Sequence, residues 1–129
     1  MTTAFLIGRI IFGIYWLMAA YQHLFKAGEM VGYAGSKGLK SPKAAIVGTG
    51  VLLLLGGLSI LLGAYTTVGI VLLVIFLLGV SFKMHDFWKA SDPMAKMGDR
   101  INFMKNMALI GALLMLLAIQ LPWAYSLGW

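Results

Sequence analysis

The sequence predicts an all-α integral membrane four-helix bundle, and three observations carry that prediction. Hydrophobic residues make up 61% of the 129 and charged residues only 11%, against ~45–50% and ~25% in soluble domains. The apolar residues are gathered into runs about as long as the ~20 residues a helix needs to cross a bilayer. The charges are gathered too: five of the ten basic and three of the four acidic residues lie between Lys83 and Lys105. The length suits one domain. The absence of cysteine excludes thiol nucleophiles, disulfide exchange and cysteine-ligated iron–sulfur clusters.

The first span reads from residue 4 to 25, contains Gly8, Arg9, Gly13 and His23, and is closed by Lys26 and Gly28. No basic segment precedes it and no small-residue cleavage site follows, so it reads as a retained span. In the loop of residues 26–43, Met30, Val31, Tyr33 and Ala34 suit one or two helical turns at the interface, which Gly35 and Gly38 interrupt. Ser41 and Pro42 are an N-cap and a first helical residue.

The second span covers residues 44–64. Its small residues form two seven-residue rows, Thr49, Gly56, Gly63 and Gly50, Gly57, Ala64, a stripe that allows close helix packing in lipid. The short uncharged turn Ala64-Tyr65-Thr66-Thr67 makes a hairpin with the third span, residues 67–85. Asp92-Pro93 can start the fourth helix, with Asp99 as the rival cap. Met94, Met97, Ile101, Met104 and Ala108 keep helical spacing toward a span over 101–121, and Pro122 ends it. Trp123, Tyr125 and Trp129 read as an interfacial aromatic anchor. The loops after spans one and three hold nine basic residues, whereas Arg9 alone lies elsewhere. The positive-inside rule therefore gives an N-out/C-out topology. In so apolar a chain the net charge of +6 reads as topology signal and lipid contact, with no nucleic acid implied.

Polar residues near the spans are the candidate sites. Arg9 lies a turn or two inside span one, where Gln120 and the carbonyls ending span four should sit at the same level. It reads as a structural hydrogen-bonding group or as a contact for an anion or a quinone carbonyl. His23 and His85 both end spans on the same side. No metal-ligand spacing accompanies them beyond Asp86, so they read as interfacial hydrogen-bonding groups or as proton donors and acceptors to a bound headgroup. Lys105 lies about two turns into span four if Asp99 caps it, and Asp86 is its expected ion-pair partner. His85, Asp86, Trp88, Asn102, Lys105 and Asn106 would then border a polar pocket for a quinone or lipid headgroup. Spans two and three offer only Thr49 and Ser59 near the midplane, too little polarity for a transporter.

The chain resembles the DoxX-like family of small bacterial four-helix membrane proteins. The resemblance rests on Gly8-Arg9 with Gly13, on Gly56-Gly57 and Gly63, on His85-Asp86-Phe87-Trp88, and on Lys105-Asn106-Met107-Ala108-Leu109. It implies a bacterial inner-membrane protein that is an accessory subunit or partner of a quinone-linked redox system, respiratory or concerned with sulfur or oxidative stress. Quinone is the implied cofactor, and lipid, other membrane subunits or further copies of the chain are the implied partners. The alternative is a non-enzymatic structural or lipid-binding subunit. Leu53 and Thr66-Thr67 stand where family members often carry a glutamate and a basic residue. Those losses weaken a proton-coupled chemistry carried by this chain alone.

Overall fold

A computed structural model of the chain describes residues 2–129. Five helices follow one another: α1 (Thr2–Phe25), α2 (Gly28–Ser36), α3 (Pro42–Leu62), α4 (Thr66–Met84) and α5 (Pro93–Leu116), with a 3₁₀ turn at Phe87–Lys89. α1, α3 and the helical stretch beginning at Thr66 are each long and apolar enough to cross a membrane. α5 is as long as α1, but Lys96, Asp99, Arg100 and Lys105 lower the hydropathy of its first half.

α3 is the central helix. It packs on α1 along one side and on α4 along the other, while α5 packs on α4. The two glycine rows of α3 divide this work. A Cβ on Gly50 would come within 2.9 Å of His23 Cβ, and one on Gly57 within 3.0 Å of Trp16 Cβ, both on α1. A Cβ on Gly56 would come within 2.5 Å of Leu73 Cγ on α4. Leu53 is fully buried in the core with Trp16, Ile60, Ile70, Leu73, Leu77 and Leu113. Gly63 ends α3 in the left-handed region, φ 67°, a conformation disfavoured for residues with a Cβ.

α2 is longer than the one or two turns the loop sequence suggests. Its apolar side, Met30, Val31 and Ala34, packs against Ile46 of α3 and Val80 and Met84 of α4, which gives the short helix a small core of its own. The start of α5 is set by Asp92, whose carboxylate accepts the Ala95 N–H at 2.9 Å. Asp99 lies inside the helix and is buried.

Two expectations for the fourth span are corrected. α5 ends at Leu116, before the expected 121, and turns follow it. Pro122 therefore lies in the tail rather than ending the helix, and the Leu121–Pro122 peptide is cis. The tail folds back over the α3–α4 turn: Leu127 N–H donates to Leu62 O at 2.9 Å and Tyr65 N–H to Trp129 O at 2.7 Å. In the supposed aromatic anchor Trp123 is buried, whereas Tyr125 and Trp129 are exposed.

The outer side of α5 is mixed, since Lys96, Arg100 and Lys105 are exposed along it beside apolar residues. Met94, Met97, Ile101 and Met104 point outward, while Asp99, Asn106 and Leu113 point into the protein. Polar groups turned inward need partners within the protein, so this arrangement brings polar chemistry inside.

Candidate functional site

Polar side chains gather at the two ends of the helices. At the end shared by the start of α1 and the α3–α4 turn, Arg9 is 3% exposed. Its guanidinium donates to four carbonyls: Ile60 O at 3.3 Å and Leu61 O at 3.0 Å in α3, and Ala124 O at 2.5 Å and Tyr125 O at 3.2 Å in the tail. It also lies 5.5 Å from the Trp123 ring and 5.7 Å from that of Phe5. The fork of N–H groups thus ties α1, α3 and the tail together. Gln120 takes no part and is exposed. The carbonyls come from the end of α3 and from the tail, not from the end of α5 as the sequence led one to expect.

At the opposite end, a network joins α2, the segment after α4, and α5. Lys37 Nζ donates to Asp86 Oδ1 at 3.0 Å and to Asp99 Oδ2 at 2.8 Å. Tyr33 Oη lies 2.7 Å from Asp99 Oδ1 and 3.0 Å from Met84 O. His85 Nδ1 lies 3.3 Å from Asp99 Oδ1. Burial works against the Lys37 ammonium, but its hydrogen bonds to Asp99 and Asp86 outweigh that and hold it well above the ordinary lysine range. Burial likewise works against the Asp99 carboxylate, and the donors Lys37, Tyr33 and His85 more than compensate, leaving Asp99 below the usual carboxylate range. Burial and the hydrogen bond to Asp99 raise Tyr33.

The expected Asp86–Lys105 ion pair is therefore replaced. Among the described residues Asp86 pairs with Lys37, and Lys105 is exposed without a carboxylate partner. The reason is α2, which carries Lys37 under the end of the bundle. Tyr33 and Lys37 were not legible as site residues because their partners lie 49 to 66 positions away.

Above this network lies a cavity of about 280 Å³. Its apolar wall includes Ile46, Phe76, Leu77, Val80 and the ring of Trp16, and its polar lining is Tyr15, Gln22, His23, Tyr33, His85, Lys105 and Asn106. Asn106 is 4% exposed, and the Trp16 indole N–H is buried with no hydrogen-bond partner among the described residues. His23 Nδ1 is committed to Ala19 O at 2.9 Å in its own helix. Of the six residues expected to border one pocket, His85, Lys105 and Asn106 do so. Asn102 and His85 line a separate cleft with Lys37 and Asp99, and Asn102 donates to Gly98 O at 3.1 Å. Trp88 packs edge-on against Phe87 and Phe103, centroids 5.3 and 5.6 Å away, on the outside.

A second, larger cavity of about 630 Å³ lies between α1 and α5, where those helices make no extended contact. Its lining is apolar apart from Arg9 and Tyr15: Phe5, Ile11, Phe12, Leu109, Met115 and Leu116 are among its walls. Tyr15 borders both cavities. Among the described residues no group of three or more His, Cys, Asp or Glu side chains comes together as a metal site would need.

No curated protein and no solved structure matches the chain. A family model described as DoxX matches residues 4–86, from the start of α1 to the carboxylate that holds Lys37, and leaves α5 with its Lys105-Asn106 outside the match. With that match over more than half its length, this all-helical membrane protein belongs to the DoxX family.

Proposed function

We propose that this protein is an inner-membrane partner of a quinone-linked redox system and that the 280 Å³ cavity takes the quinone headgroup. The observation that carries the reading is the polar set facing an otherwise apolar wall. The Trp16 indole N–H on this lining is buried without a partner among the described residues, Asn106 brings a buried amide, His23 and His85 each commit one ring nitrogen and keep the other, and Lys105 supplies a cation. Buried polar groups without partners are costly, and a ring carrying oxygens on opposite edges can satisfy groups on facing helices. The adjoining apolar cavity between α1 and α5 suits the isoprenoid tail, and it lies where these helices leave the bundle open. The nine basic residues in the loops at the Lys37 end support placing that end in the cytoplasm, with multi-pass N-out/C-out topology.

The test is purification in mild detergent followed by organic extraction. The expected result is about one isoprenoid quinone per chain, lost in Asn106→Leu without a fall in thermal stability. Quinone retained by that variant, or no quinone in the native protein, would overturn the site. A second reading, a structural or lipid-binding subunit, is supported by the outward stripe of Met94, Met97, Ile101 and Met104. That reading expects partner chains or phospholipid, and no quinone, in the same preparation.

A further inference from the structure

The two histidines of the cavity are alike in a way that bears on which redox form it holds. His23 Nδ1 faces Ala19 O, a carbonyl that can only accept, so the proton must sit on Nδ1. His85 Nδ1 faces Asp99 Oδ1. That carboxylate is kept ionised by Lys37 and Tyr33 and is likewise an acceptor. In each neutral imidazole the remaining nitrogen, Nε2, is then a bare lone pair. Neither Nε2 has a partner among the described residues, and both rings line the cavity. The two come from α1 and from the end of α4, so they approach a bound ring from different helices.

A quinone presents two carbonyl oxygens, which only accept. It would satisfy Lys105 and the amide N–H groups of Asn106 but would leave both imidazole lone pairs unpaired. A quinol presents two hydroxyls, each of which donates one proton and still accepts. It can pair with both Nε2 atoms and retain the contacts from Lys105 and Asn106. We infer that the cavity selects the reduced, hydroxyl-bearing form of its ring ligand, because the ring nitrogens that His23 and His85 have to spare are both acceptors. The inference rests on the quinone-site reading and sharpens it: the chain would hold or deliver quinol. In this arrangement Asp99 is a positioning residue. It touches no ligand and fixes which nitrogen of His85 carries the proton.

The test uses a soluble tetramethyl hydroquinone and the matching quinone, measured separately by calorimetry under anaerobic conditions with the detergent-purified protein. The pH is 8, above the ordinary imidazole range. The hydroquinone is expected to bind about tenfold tighter, the scale of one net hydrogen bond. Gln at either histidine can turn its oxygen or its amide to the ligand, so His23→Gln and His85→Gln should each shrink the ratio. Asp99→Asn can offer an amide N–H to His85 Nδ1, which moves the proton to Nε2 and should lower the ratio further. If Asp99→Asn does not fold, the two Gln variants decide. Equal affinities, tighter quinone binding, or a ratio unchanged in both Gln variants would overturn the selection and leave the quinone site standing. Binding of neither compound would overturn both.

Discussion

Lys37 holds two carboxylates that reach it from different parts of the chain, Asp86 after α4 and Asp99 in α5. Asp99 is in turn shared with Tyr33 and His85, so one aspartate fixes the relative positions of α2, α4 and α5. Lys37→Met would leave Asp86 and Asp99 without their cation and should cost about 2 kcal/mol, the range for hydrogen bonds to charged groups, read as a fall in thermal midpoint. The shifts also give the pH dependence. Asp99 is lowered in the folded protein, so its contribution is present above the ordinary aspartate value of about 4 and is lost as pH falls through the lower folded value. Lys37 is raised, so its contribution is full below its ordinary value of 10.5 and is lost as pH rises toward the folded value. Thermal stability should therefore fall both below about pH 4 and above about pH 10. Lys37→Met should flatten the alkaline fall; an unchanged alkaline limb would show that the network does not contribute to stability.

At the scale of the element, the same residue type has opposite meaning in different helices. Gly56 of α3 faces fully buried Leu73, and a Cβ there would overlap its Cγ. Gly8 of α1 and Gly111 of α5 have no atom within 4 Å of where a Cβ would sit. Gly56→Ala should lower stability by about 1–3 kcal/mol, the usual cost of overpacking a tight contact. Gly8→Ala and Gly111→Ala should be neutral or slightly stabilising, since Ala is the better helix former. Detergent melting curves of the three variants compare them directly, and a Gly56→Ala protein as stable as the other two would remove α3 from its central role. The paired rows of α3 were readable as a packing stripe, but which row met which helix was not. That depends on the rotation of α1 and α4 about their own axes, which spacing within α3 does not encode.

Across the whole molecule the two ends are built differently. The Arg9 end is closed by a guanidinium that gathers carbonyls from α3 and the tail. The Lys37 end holds the ionised network and the 280 Å³ cavity. The tail returns to the end where α1 begins, so both termini share a face. A reporter fused after Trp129 should therefore show periplasmic activity, in line with nine basic residues in the opposite loops. Cytoplasmic activity there would reverse the orientation and place the cavity in the other leaflet.

Composition and run length by themselves determined that this is a helical membrane protein. Both are sums over local sequence, and the cost of exposing peptide groups to lipid leaves a helix as the form such runs adopt. The Asp92 start of α5 and the hairpin at Tyr65 were local too, each set within a few residues. The His85, Lys105 and Asn106 side of the cavity was visible because charge and amides near span ends need partners. Only the tertiary structure decided which partners they found. Asp86 went to Lys37 because α2 folds beneath the bundle, and Asn106 lines the cavity because α5 turns it inward beside an open seam with α1. Such pairings are fixed by helix rotation and by contacts between residues far apart in the chain, and no local pattern carries that information.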